Sequence, residues 1–229
     1  EVLFDFLKTY KGTVQSDAYA PYRKLETDQY HNITRIACLQ HVKRKFLEQD
    51  KDPDARKIVE MINQLYQKEH EHRTSYQGWT IKDNLAHRKQ YAPPILRKIK
   101  KKLLSLQTKP DLLPKSQMAE AINYTLSQWK AIEDIFTKGE YYLDNNLVER
   151  YNRYISLSRR NSLFFGSHKG AERGVILYSL ACSCRMHGIN TFEYIADVIN
   201  KAAKLPPNTD RKIYRDLLPQ KWKENRNRN

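Results

Sequence analysis

Between residues 53 and 136 apolar side chains recur with the 3.6-residue period of a helix. Ile58, Met61, Ile62, Leu65 and Tyr66 form one stripe, and Met118, Ala121, Ile122, Leu126, Trp129, Ile132 and Phe136 form another. A block of this kind packs helix on helix, so any sheet must be built from what flanks it. Pro93-Pro94 and the segment 109–114 are expected to break the block, dividing it into three or four helices.

The N-terminal flank supplies the β-like runs. Residues 2–10 are apolar at helical spacing, with a stop at Gly12. Thr13 and Val14 then open a short β-like run that reaches an acidic residue, Asp17. A second run, β-branched at Ile33, Thr34 and Ile36, extends to Cys38 and is followed by a basic helical stretch over 41–49. The order helix, strand, strand, helix points to an α/β layer, in which loops at strand ends carry chemistry.

The C-terminal flank is helical. Asp144-Asn145-Asn146 predicts a helix start, because Asp and Asn accept the free amides of a first turn, and the helix continues through Glu149, Arg153 and Leu157. A basic polar turn over 158–170 leads to an apolar helix over 171–187 that stops at Gly188, then to a helix over 191–204. The tail from Pro206 is basic, and its last residues, KWKENRNRN, are expected to fray. The chain thus divides into 1–52, a partial α/β core; 53–138, a helical insertion; 139–170, a helix carrying Glu149 with its basic turn; and 171–229, a helical extension with a basic tail.

With 40% apolar and 11% aromatic residues the chain has the surface to build a packed interior. Its net charge of +15 sets up a field that attracts polyanions, nucleic acid above all. No stretch approaches the roughly 18 to 20 apolar residues of a membrane helix, and no signal peptide is evident. Three cysteines, an odd number, fit a reducing cytosol. The start at Glu1, already inside an apolar helical pattern, reads as a piece of a longer polypeptide.

On a helix, Asn145, Glu149 and Arg153 share one face with Asn152 beside them. This is either an exposed face with an ordinary ion pair, worth about 0.2–0.5 kcal/mol, or a polar site. The segment RKIKKK over 97–102 has a basic face that either tracks a phosphate backbone or is simply solvated. Cys38, His41, Cys182 and Cys184 lack the spacing of a zinc site and read as small buried thiols with a neighbouring histidine; His70, His72 and His87 read as surface side chains. There is no G-x-S-x-G elbow, no phosphate-binding loop and no G-x-G-x-x-G, which disfavours the nucleotide-binding enzymes.

Several ordered motifs together resemble the insertion-sequence sixty-six family of DDE transposases. Asp144-Asn145-Asn146, Glu149-Arg150, Arg160-Asn161 and Leu163-Phe164 resemble its D-N-N-x-x-E-R and R-K-N-x-L-F phrases. The stretch from Val14 through Gln15, Ser16, Asp17 and Ala18 to Tyr19 resembles its strand with the second catalytic aspartate, and residues 38–46 its C-x-x-H-x-R-R-K-F block. Ala18 stands where the family often has glycine, and Ser162 where it often has tryptophan.

The resemblance implies a helix-rich α/β chain: a truncated ribonuclease-H-like core lacking its first strands, an all-helical insertion and C-terminal helices. Asp17 and Glu149 become the catalytic residues and the metal ligands, in a site for two Mg²⁺ or Mn²⁺ ions in the full-length enzyme, since hard carboxylate oxygens suit these cations. The family's first aspartate is expected upstream, because Asp5 lies inside a helical pattern, and a fragment without it should be inactive alone. Arg150 and Arg153 become phosphate contacts, or braces of the helix, and Asn145 and Asn146 support the site. Arg159, Arg160, Asn161, His168, Lys169 and Arg173 form a second basic cluster that positions DNA through its backbone. The implied partners are transposon ends and target DNA in a bacterial cytoplasm, at the nucleoid, without a membrane. Whether the active complex is a homo-oligomer on DNA, or needs accessory proteins of the same element, is left open. The alternatives are a non-catalytic basic DNA-binding protein derived from a transposase and a helical interaction module whose charge confers solubility.

Overall fold

A computed structural model of the chain describes residues 2–27, 32–75, 80–160 and 163–226. It is helix-rich, with one small parallel sheet, and it separates into two compact units, residues 1–147 and 148–229.

In the first unit a short helix α1 (Val2–Leu7) leads into strand β1 (Gly12–Ser16). A four-residue helix α2 (Ala20–Arg23) precedes strand β2 (Ile33–Ala37). β1 and β2 pair in parallel, in register from Gly12↔Ile33 to Ser16↔Ala37, so Asp17 and Cys38 both leave the sheet at its C-terminal edge. β2 is buried at four of its five positions, whereas β1 is mostly half-buried.

The helical block then follows: α3 (Leu39–Leu47), α4 (Pro53–Ser75), α5 (Ile81–Gln107), α6 (Gln117–Ser127) and α7 (Trp129–Asp134), closed by a single 3-10 turn over 135–137. Each helix turns its apolar stripe inward. Val42 and Phe46 of α3, Ile58, Ile62 and Leu65 of α4, Leu96, Ile99 and Leu103 of α5, Ile122 of α6 and Ile132 of α7 share one core with Ile36 of β2. The helix boundaries are set by capping: Thr80 and Asp83 exchange hydrogen bonds at the start of α5, and the Ser116 hydroxyl accepts from the Ala119 amide at the start of α6.

Pro93-Pro94 does not break the block as expected: α5 runs through both residues. The rings leave the carbonyls of Lys89 and Gln90 without their helical donors, but α5 is held on both sides, by Arg88 and Tyr91 before the prolines and by Leu96 and Ile99 after them. Tertiary packing outweighs the local penalty. The other expected breaker, 109–114, does lie between α5 and α6. His72 and His87, expected as surface side chains, are half-buried and stacked on each other with ring centroids 4.3 Å apart.

A buried polar knot sits beneath this core. The Glu69 carboxylate accepts from Arg88 Nη2 at 2.5 Å and Nε at 2.9 Å, Arg73 Nε at 2.9 Å, Tyr91 Oη at 2.8 Å and Asn84 Nδ2 at 3.2 Å. Arg88 also donates to the carbonyls of Ile135, Lys138 and Tyr141, and Asn84 to that of Gly139. The connector from α7 toward residue 144 is thereby fastened to α5. Gly139 is required there, because a Cβ would fall 1.9 Å from the Ile81 carbonyl oxygen.

The second unit contains most of α8 (Asn146–Ser158), then α9 (His168–Met186), α10 (Thr191–Ala202), α11 (Arg211–Asp216) and α12 (Pro219–Arg226). α9 starts at His168, three residues earlier than expected, because the Ser167 hydroxyl accepts from the Gly170 amide at 3.0 Å. It stops before Gly188, whose φ of +62° suits glycine. α8 and α9 run antiparallel: Ser158 meets Tyr178 through their hydroxyls, Cys182 Sγ reaches the Tyr151 carbonyl, and Arg185 lies over the Tyr154 ring. The tail expected to fray is helical as far as Arg226. Trp222 anchors it, packing edge-on against Tyr194 and donating from Nε1 to Asp197 at 2.6 Å. Among the described residues no helix is long and apolar enough to cross a membrane.

Candidate functional site

Asp17 is the first residue past β1, and its carboxylate is held locally, Oδ1 accepting from the Tyr19 amide at 3.1 Å. Its backbone is held by Arg35, which is buried in β2 and donates from Nη1 to the Asp17 carbonyl at 3.2 Å while pairing with Glu26 at 2.6 Å. Gln15 ties the same edge together: its amide nitrogen donates to the Ala37 carbonyl at 3.1 Å and to the Tyr142 carbonyl at 2.9 Å. The Leu39 amide donates to the Leu143 carbonyl at 2.9 Å, which brings the chain before α8 against the end of β2.

At that edge Asp144 makes two contacts. One oxygen accepts from the Tyr66 hydroxyl at 2.9 Å, and the other from the Asn146 amide at 3.1 Å, so a side chain of α4 and the first turn of α8 meet on one carboxylate. Burial, with the negative charge of Asp144 next in weight, pushes the Tyr66 hydroxyl well above its ordinary range. Cys38 is shifted up mainly by its own burial, with Asp144 adding to it. Asn145 is half-buried, and its enclosed Oδ1 has no hydrogen-bond donor among the described residues. A cleft of about 220 Å³ opens beside these groups, lined by Tyr66, Glu69, His70, Arg73, Tyr142 and Asp144 among others.

Glu149 lies in the first turn of α8, where a carboxylate is favoured by the helix dipole. Tyr151, Tyr154 and Ser158 take the α9 side of the helix, so Glu149, Asn152 and Arg153 fall on the other face. Arg150, Arg153, Arg159, Arg160, Lys169 and Arg173 are all exposed, and none makes an ion pair with a described carboxylate. Asn161 lies outside the described residues. Asp17, Asn145 and Asn146 belong to the first unit and Glu149 to the second. Among the described residues no group of three or more His, Cys, Asp or Glu could hold a metal ion by itself.

Several residues that shape this edge escape a reading of the sequence. Arg35 is the lone charge in the run Ile33 to Ala37, and Glu69 follows Leu65 at the next position of the α4 stripe; a charge on an apolar period was the available signal in both. Tyr66 belongs to that stripe by spacing, but its hydroxyl serves Asp144.

Residues 1–173 match the model of the transposase IS66 family. The chain therefore belongs to that family. It is 32% identical over 224 residues to the uncharacterized protein y4jD of Sinorhizobium fredii, covering 95% of this chain and 42% of that protein. To the uncharacterized protein y4hP of the same organism it is 28% identical, covering 95% of this chain and 41% of the relative. The chain thus spans about two fifths of the length of these relatives. No solved structure matches it.

Proposed function

We propose that this chain carries part of the catalytic centre of a DNA transposase that cuts and joins strands by metal-assisted phosphoryl transfer. The observation that carries the reading is the placement of Asp17 at the C-terminal edge of a parallel strand pair, fixed by Tyr19 and Arg35. Parallel sheets place their chemistry at this edge. A two-stranded parallel sheet with one half-buried strand also fits a larger ribonuclease-H-like sheet completed by the part of the relatives that this chain does not span.

In this reading Asp17 and Glu149 offer hard oxygen ligands to Mg²⁺ or Mn²⁺, with a third carboxylate from outside the chain. The donor set suits such ions, and the enclosed Asn145 Oδ1 nearby has no hydrogen-bond partner among the described residues. Bound ions would activate the attacking oxygen and stabilise the leaving one. Asp144 caps the start of α8, while the exposed arginines of α8 and its turn grip DNA phosphates. In the full-length transposase, Asp17→Asn and Glu149→Gln are each expected to reduce Mn²⁺-dependent cleavage of transposon-end DNA to background while binding to that DNA persists. Undiminished cleavage by either variant overturns the assignment.

A further inference from the structure

The helical block has a second concavity that shares no lining residue with the cleft beside Asp144. It measures about 320 Å³ and lies between α5, α7 and the turn at 135–137. Its floor is apolar, made by Ala92, Leu96, Trp129 and Phe136, all nearly buried. Its rim is cationic: Lys89, Arg97 and Lys100 stand exposed on one face of α5, at spacings of eight and three residues.

The charges on this rim are available. Arg88, also in the lining, commits its guanidinium to Glu69 and to the backbone carbonyls of Ile135, Lys138 and Tyr141. Lys89, Arg97 and Lys100 make no ion pair with a described carboxylate. The lining's one carboxylate, Glu133, accepts from Trp129 Nε1 at 2.6 Å and so holds the indole in place, with the Lys100 ammonium 5.4 Å from the ring centroid. Pro93 lines the same pocket, and the prolines free the carbonyls of Lys89 and Gln90 as acceptors.

We infer that this pocket receives an unstacked base of a DNA strand, while the phosphates flanking that base lie on Lys89, Arg97 and Lys100. An apolar floor that includes aromatic residues, beneath a row of cations, has the make-up of sites that hold single strands without sequence reading. The rim covers about 16 Å of helix, enough to follow several phosphates. The inference rests on the transposase reading for its choice of DNA over an acidic peptide, and it adds a contact remote in sequence from Asp17 and Glu149.

The test uses the full-length transposase and a single-stranded oligonucleotide carrying 5-iodouracil. Ultraviolet cross-links are expected at Trp129 or Phe136, mapped by mass spectrometry. The variant Lys89→Glu/Arg97→Glu/Lys100→Glu changes exposed residues only, and it is expected to lose those cross-links. The slope of log affinity against log salt should also fall by about 2, three single-strand phosphate contacts' worth. Arg97→Glu alone gives the same readout, on a smaller scale, should the triple variant fold poorly. Cross-links confined to other segments, or an unchanged salt slope, overturn the inference. So does displacement of the oligonucleotide from the pocket by polyglutamate at equal charge concentration, which would assign it to an acidic peptide. Cross-links that persist in Glu149→Gln separate this contact from the cleavage site. A wild-type enzyme that cross-links here yet cuts no DNA refutes the catalytic reading alone.

Discussion

In the first unit Phe46, Ile58, Ile62, Leu65, Leu103, Ile122 and Ile132 are sealed inside one continuous core. Among the described residues of the second unit the buried apolar cluster is Cys184, Ile189, Tyr194 and Trp222, while Val175, Ile176, Leu177 and Phe192 stand more than half exposed. The difference lies in how apolar residues are arranged. On α4 they recur along one stripe, so one face goes inward; on α9 they run consecutively at 175–177 and cannot all face one partner. The first unit is therefore stabilised by its own interior, and the second, which carries the exposed arginines of α8 and the turn after it, by a handful of contacts.

The sharpest way to break this contrast is Trp222→Ala. Removing one of four clustered side chains should cost about 3–5 kcal/mol, which so small a core cannot bear. In hydrogen exchange of the intact protein, residues 148–226 should lose protection while those of the first unit keep theirs. Simultaneous loss in both would show that the units are not separately stabilised.

Arg88→Met tests the first unit with a local cost of up to about 3 kcal/mol, because it takes from the buried Glu69 carboxylate its fully buried guanidinium partner and leaves Arg73, Tyr91 and Asn84 to hold it. Here the denaturant midpoint of the first unit should fall with no effect on protection of the second. Changing Glu69→Leu in the same protein should recover part of the loss.

Acid titration sharpens the point. Burial works to raise the Glu69 pKa, but the hydrogen bonds and charge of Arg88, with Tyr91 and Asn84, hold it down at about 2. A depressed carboxyl stabilises the folded state fully above its unfolded value, near 4.5, and that contribution vanishes as the pH drops toward 2. The amount at stake is about 3 kcal/mol. Thermal melts of the first unit between pH 5 and 2 should show this decline, and Glu69→Gln should flatten it. Tyr66→Phe is the mildest change: losing one hydroxyl bond to Asp144 should lower stability by about 0.5–1.5 kcal/mol in the same melts.

Much of this architecture was legible in the residues. The stripes of α4 and of α6–α7, the strand ending at Asp17, the helix start at 144–146 and the stop at Gly188 all follow from period and capping chemistry. What escaped depends on partners distant in the chain. The prolines of α5 read as a break because the packing that carries the helix across them comes from other helices. The tail read as frayed because its anchor, Trp222, gains its meaning only from Tyr194 and Asp197. At the candidate site Asp17 was legible as an acid at a strand's end, whereas Arg35 and Gln15, which fix that end, act through backbone carbonyls that no motif records.

The fastening of residues 135–141 to α5 has an evolutionary corollary. Arg88 and Asn84 grip four carbonyls within seven residues, and Gly139 touches the Ile81 carbonyl without room for a methyl group. An inserted or deleted residue in this stretch has no slack to take it up. The connector should drift by substitution among relatives while its length stays fixed, so that each helical block reaches Asp144 after the same number of steps.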